Sequence, residues 1–354
     1  MSKLAIIVIS LLVAGLLLTS PTFAVFDTDS EAAAHSSFSH RWIEHNQRWS
    51  HLGVEAAWDI PGRRAPVVVA VLDSGVDLNH PALKDRLLPG RNFVAGQPAA
   101  DVDDEAGHGT GVAGIIAAIA DGGVDAKQKL PPLQIIPVKV CDKHQRCESL
   151  AALDGLNYAI EHGADVVNMS FMIHTDGFWR SIWAEALETA HRNGVVVVVS
   201  AGNQQEFLST ADDEHYLPAE LEQVITVGAV NEQDEICAAA DRVFAANCRW
   251  YPARGSGYGP RLDVVAPGSA AIWTTAPEQS DRSNFGGTSA ATAIVSGLAA
   301  LLLSANETLA PEQVEQLIKE NAVPLDPHYA SLPTESFGWG RIDVRATVSA
   351  AVER

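Results

Sequence analysis

Residues 66–75 read PVVVAVLDSG. A continuous β-branched run without polar alternation leaves no wet face, so residues 66–72 read as a strand buried on both sides in a parallel sheet. The run ends in Asp73-Ser74-Gly75, and open α/β sheets gather their working residues beyond the carboxyl ends of the strands. Asp73 is a candidate for such a role, although an aspartate before glycine is also ordinary turn chemistry. Outward from this strand the chain alternates. Residues 133–140 (LQIIPVKV), 165–170 (DVVNMS), 195–200 (VVVVVS), 224–230 and 262–265 read as strands, and residues 148–161 and 178–192 as helices. Strand, helix, strand in repetition implies right-handed crossovers and an α/β fold of three layers, a doubly wound, mostly parallel sheet with helices on both faces. Neither an internal repeat nor a low-complexity linker breaks residues 45–354, which read as one domain.

Three further stretches carry chemistry. Residues 101–114 (DVDDEAGHGTGVAG), followed by an apolar run, put His108 at the start of a helix between two glycines that permit close approach. A helix N-terminus disfavours an imidazolium, so proton uptake by His108 needs a neighbouring carboxylate, for which Asp73 is the candidate. The acidic run Asp101, Asp103, Asp104 and Glu105 reads as a solvated loop in preference to a cation site. The strand over 195–200 runs into Ala201-Gly202-Asn203, where the amide can donate into the same crevice, although Gly-Asn is also ordinary turn chemistry. Residues 285–304 (FGGTSAATAIVSGLAALLLS) deliver Ser289 through a glycine turn to a buried helix, whose free N–H groups stabilise negative charge. On that stretch alone, a plain N-cap at Thr288 or Ser289 is the preferred reading over a nucleophile.

Together the segments VAVLDSG, GHGTGVAG, SAGN and GGTSAA resemble, in order, the Asp, His, oxyanion-Asn and Ser motifs of the subtilisin-like serine proteases. The order Asp, His, Ser is that of subtilisin itself. The resemblance spans roughly residues 48–348 and includes Leu217-Pro218-Ala219, DVVAPG at 263–268 and Gly338-Trp339-Gly340. It implies a serine endopeptidase that forms an acyl-enzyme on Ser289, with His108 as base and then acid, Asp73 orienting it, and Asn203 in the oxyanion hole. It also implies a substrate cleft lined by Ser170, Phe171, Met172 and Gly202, and no organic cofactor. Three departures stand out: Ala293 for a proline, Gly111 for a histidine, and Met172 for a glycine of the cleft wall. The last is expected to narrow the cleft and restrict specificity. The family's main calcium-ligating aspartate corresponds to Ala82, and Asp121 near another ligand position makes no site alone, so no metal is assigned. Two other classes compete. A silent scaffold on the same fold calls for a damaged triad, and an α/β-hydrolase esterase calls for G-x-S-x-G where this chain has Gly287-Thr288-Ser289-Ala290-Ala291.

Composition bounds the setting. With 354 residues, 47% of them hydrophobic, the chain can bury a large core. Its 24 Lys and Arg against 44 Asp and Glu give a net charge of −20, which argues against nucleic acid or an anionic membrane as partner. The expected partner is a protein or peptide substrate, met by a monomer. Lys3, the apolar run 4–18, and the small residues Thr22 and Ala24 read as a signal peptide over 1–24, cut before Val25, in preference to an uncleaved membrane anchor, for which the run is short. The mature protein is then secreted or periplasmic, without stable membrane association. Residues 25–44 read as a polar arm, and His35, His40 and His45 show no paired ligand pattern. That arm is too short for the domain-sized propeptide common among secreted relatives, so folding is either unaided or helped by an external factor. Cys141–Cys147 and Cys237–Cys248 are the simplest of three possible pairings. The run Asp212, Asp213 and Glu214 before Tyr216 reads as a solvated loop in preference to an attractor for basic substrate side chains.

Overall fold

The computed structural model describes residues 38–60, 65–120, 133–209, 214–237, 255–269, 272–325 and 337–354. The signal-peptide reading of 1–24, most of the arm, and Asp121, Asp212, Asp213 and Cys248 lie outside the described residues. In chain order the helices are α1 (residues 38–45), α2 (Val54–Trp58), α3 (His108–Ala120), α4 (Ser149–Glu161), α5 (Gly177–Arg192), α6 (Thr288–Ala305), α7 (Pro311–Glu320) and α8 (Val344–Glu353). The strands are β1 (Val67–Asp73), β2 (Arg91–Asn92), β3 (Leu133–Lys139), β4 (Val166–Met169), β5 (Ile173–Asp176), β6 (Val196–Ser200), β7 (Glu214–Leu217), β8 (Ile225–Val230), β9 (Val264–Pro267), β10 (Ile272–Ala276) and β11 (Ser280–Phe285).

Seven strands form one parallel sheet in the order β2-β3-β1-β4-β6-β8-β9, while β5 pairs with β7 and β10 with β11 as separate antiparallel ribbons. Val67, Val69 and Val71 of β1 enter the core under α3 and α6, whereas Ala70 and Leu72 enter the core under α4 and α5. Val196 and Val198 of β6 divide from Val197 and Val199 in the same way. Unbroken valine runs are what a sheet covered on both faces requires, each fully buried valine contributing about 1.5–3 kcal/mol. The three-layer architecture expected from the sequence is therefore present, with the expected strands within two residues of their places.

The winding locates the crevice. After β1 the chain passes through α3 to β3, then returns through α4 to β4 on the other side of β1. The strand order reverses between β1 and β4, and this switch point is where open sheets leave room for a ligand. Asp73 closes β1, Ser170 follows β4, and Asn203 follows β6. Above them runs α6, in which every residue except Ser304 is buried. It is the one helix among the described residues long and apolar enough to cross a membrane, and it forms the centre of the core.

One segment differs from its sequence reading, and another carried none. The end of the arm is helical and docked: Phe38 and Trp42 are buried, and the Phe38 ring lies 5.2 Å from Trp273. Asn46 fastens it further, accepting from the Trp273 N–H at 3.1 Å and donating to its carbonyl at 3.2 Å. β11 (SDRSNF) has almost no apolar signal and forms by pairing with β10. Cys141 and Cys147 are bridged, closing the loop after β3.

Candidate active site

β1 and α3 bring a carboxylate and an imidazole together. His108, the first residue of α3, directs Nδ1 at Asp73, 2.8 Å from Oδ1 and 3.0 Å from Oδ2. Asp73 is held in turn by the Ser74 N–H at 2.7 Å. This approach needs Gly109: a Cβ there would stand 2.1 Å from the Gly75 carbonyl oxygen and 3.0 Å from Asp73 Cβ. Burial works against the imidazolium, but the charge and hydrogen bond of Asp73 outweigh it, with Arg282 opposing and Asp104 assisting, and His108 sits above its ordinary value. With Nδ1–H given to the carboxylate, Nε2 is left with its lone pair.

Ser289, in the first turn of α6, is 5% exposed, and its hydroxyl donates to the Ser170 carbonyl at 3.1 Å. It makes no hydrogen bond to His108. Both residues border one cleft of about 580 Å³, together with Asp73, Asn203, Ser170, Phe171, Met172 and Gly202. Every site residue singled out from the sequence thus converges on one place.

Asn203 is set by the helix it faces. The Thr288 N–H donates to Asn203 Oδ1 at 2.9 Å and the Thr288 hydroxyl at 3.1 Å. A backbone donor fixes which end of the amide is oxygen, so Nδ2 is the end left to donate. The N-cap of α6 is Gly287, with φ 86°, and no side chain of its own turn caps it. The plain-cap reading of Thr288 or Ser289 is therefore corrected: Asn203, distant in sequence, takes the first N–H, and the Ser289 N–H stays free, as the first turn of a helix leaves it.

A family model described as the subtilase family matches residues 64–340. The chain belongs to the subtilase family. It is 33% identical over 250 residues to the thermophilic serine proteinase of Bacillus sp. (strain AK1), covering 70% of this chain and 55% of that protein. With subtilisin DY of Bacillus licheniformis it shares 30% identity over 282 residues, 80% of this chain and 90% of the relative. Thus the chain spans just over half the length of the first relative and most of the second. The crystal structure of a lanthipeptide protease superposes with a TM-score of 0.67 at 23% identity, over 86% of this chain and 95% of that one, which shows the shared fold.

This subtilase departs from the solvated reading of its acidic loop at one residue. Asp101, Asp103 and Glu105 are exposed, but Asp104 is buried beneath the start of α3. Its Oδ1 accepts from the Ser74 hydroxyl at 2.7 Å, Gly107 N–H at 2.8 Å and Ala106 N–H at 3.1 Å. Its Oδ2 accepts from the Thr110 N–H at 2.8 Å and hydroxyl at 2.7 Å. The Ser74 hydroxyl also accepts from the Gly109 N–H at 3.1 Å, so the network ties the end of β1 to the turn that carries His108. An acid just ahead of a helix start is a capping signal, which the run of acids around Asp104 obscures. Asp104→Ala leaves the Ala106, Gly107 and Thr110 N–H groups without this acceptor. It is expected to destabilise the fold by about 2–4 kcal/mol. A fall in the urea midpoint checks it, with Asp104→Asn falling less.

A Cβ on Gly111 would lie 3.0 Å from the Phe285 ring, which fills the space a histidine would need. That ring stands 5.3 Å from His108 and carries the Arg282 guanidinium 4.4 Å above it. Ala293 is fully buried in α6, and Ala82 is buried. Met172 folds over Gly202, where a Cβ would meet its Cε at 2.5 Å and its Sδ at 2.8 Å. Among the described residues no three His, Cys, Asp or Glu side chains converge as metal ligands.

Proposed function

We propose that this subtilase is a serine endopeptidase that hydrolyses peptide bonds through an acyl-enzyme on Ser289. The observation that carries the reading is the Asp73–His108 pair, fixed in one cleft with Ser289 at a helix N-terminus and with the Asn203 amide turned so that Nδ2 can donate. As substrate enters, the Ser289 hydroxyl leaves the Ser170 carbonyl, gives its proton to His108 Nε2 and attacks the scissile carbonyl carbon. Catalytic hydrogen bonds commonly tighten only in the substrate complex. Negative charge on the former carbonyl oxygen is met by Asn203 Nδ2 and the Ser289 N–H, the side-chain donor contributing about 3 kcal/mol on the scale known for subtilisin. His108 then protonates the leaving amine, and water, deprotonated by the same imidazole, releases the acyl group. No organic cofactor enters these steps.

The same reading makes the enzyme an exported one, secreted or periplasmic, and soluble as a monomer once residues 1–24 are removed. The hydrophobic leader in the sequence and the Cys141–Cys147 bridge support an oxidising compartment, and a triad complete within one chain supports a monomer. A fluorophosphonate probe tests the chemistry. Wild type is expected to label and Ser289→Ala is not; a folded wild type that stays unlabelled would favour the silent-scaffold reading. Met172 is expected to limit what the cleft admits. Met172→Gly should raise kcat/KM on peptides with bulky aromatic side chains by about 10-fold, measured with a peptide library. An unchanged range of cleaved peptides would contradict that role.

A further inference from the structure

Beyond Ser289 and Asn203 the cleft holds a carboxylate that the chemistry above leaves unused. Glu206 borders it with Met172, His174, Gly202 and Gln204. One carboxylate oxygen, Oε2, accepts the Gln204 N–H at 2.9 Å. Among the described residues no lysine or arginine pairs with it, and the one side chain whose charge acts on it is His174. Met172 and Glu206 meet over a single α-carbon: a Cβ on Gly202 would stand 2.5 Å from Met172 Cε and 3.0 Å from Glu206 Oε2. The bare face of Gly202 admits both side chains. Burial pushes the Glu206 carboxyl above its ordinary value against two backbone hydrogen bonds and His174, as expected of a carboxylate short of counter-charge.

Gly202 is bonded to Asn203, the residue assigned to the scissile carbonyl oxygen, whereas His108, which meets the leaving amine, stands against Phe285 instead. A pocket built on Gly202 therefore serves the acyl side of the bond. Met172 narrows it, which disfavours branched and aromatic side chains but leaves room for an unbranched stem. We propose that this pocket binds the substrate residue whose carbonyl is attacked and selects lysine or arginine, the stem lying along Met172 and the cation pairing with Glu206. A net charge of −20 draws cationic peptides toward the protein as a whole. The proposal rests on the acyl-enzyme reading of Ser289.

The test compares peptide amides that differ only at this residue: lysine, arginine, norleucine, phenylalanine or glutamate. Wild type is expected to prefer lysine or arginine over norleucine in kcat/KM by about 10- to 100-fold. Glu206→Gln should collapse that ratio, and Glu206→Lys should turn the preference toward glutamate. Because each ratio is taken on one enzyme preparation, a partly unfolded variant does not distort it. A wild-type ratio near one, or a ratio unmoved by both substitutions, overturns the assignment. Fluorophosphonate labelling alongside separates the two failures: labelled enzyme without a basic preference sinks the pocket alone, and unlabelled enzyme sinks the reading of Ser289 with it.

Discussion

Ser289→Ala is expected to lower kcat by about 10⁶-fold, the scale established for subtilisin, while the protein stays folded. The methyl group cannot attack, and His108 is left with no hydroxyl proton to accept. Stability should hardly move, because the lost hydroxyl makes one hydrogen bond, to the Ser170 carbonyl at 3.1 Å, worth about 1 kcal/mol or less. Residual catalysis of about 10³- to 10⁴-fold over water should survive, because Asn203 and the Ser289 N–H still meet the developing oxyanion. Initial rates on a peptide amide, with circular dichroism on the same samples, check both halves. A variant that unfolds, or one that keeps most of its activity, contradicts the assignment.

Asp73→Asn is expected to lower kcat by about 10⁴-fold and to change the pH profile in a defined direction. His108 must be neutral to accept the serine proton, so activity is present above its pKa and lost as pH falls through it. Burial holds that value down, and Asp73 more than reverses the effect, so the wild-type acid limb of kcat/KM should lie above the ordinary 6.5. An asparagine removes the charge, so the limb should move to lower pH. It also offers an N–H where the carboxylate accepted one, which favours the tautomer with the proton on Nε2 and leaves no base facing Ser289. A limb that stays in place, or moves to higher pH, would mean that Asp73 is not what raises His108.

Much of this was legible in the sequence because the same residues carry both local and global information. The valine runs of β1 and β6 announce strands buried on two faces; Asp73 closes the first and Asn203 follows the second, so finding the strands finds the crevice. What was not legible depends on contacts between distant segments. Asp104 looks like its exposed neighbours until α3 folds over it and all its lone pairs are taken. The first N–H of α6 is capped by Asn203, 85 residues away, and no reading of the GGTS turn alone reveals that. Phe38 sits in a polar segment, and its burial comes from the distant rings of Trp273 and His80. Glu206 has no motif around it, and its place in the cleft comes from the open face of Gly202.

The most direct measurement is the covalent state of the enzyme during turnover. An activated ester substrate mixed with the protein and quenched in acid within the first turnovers should leave an intact mass increased by one acyl group. Proteolytic mapping should place that group on Ser289, and Ser289→Ala should show none. Turnover with no acylated protein, or with the acyl group on any other residue, would contradict the account.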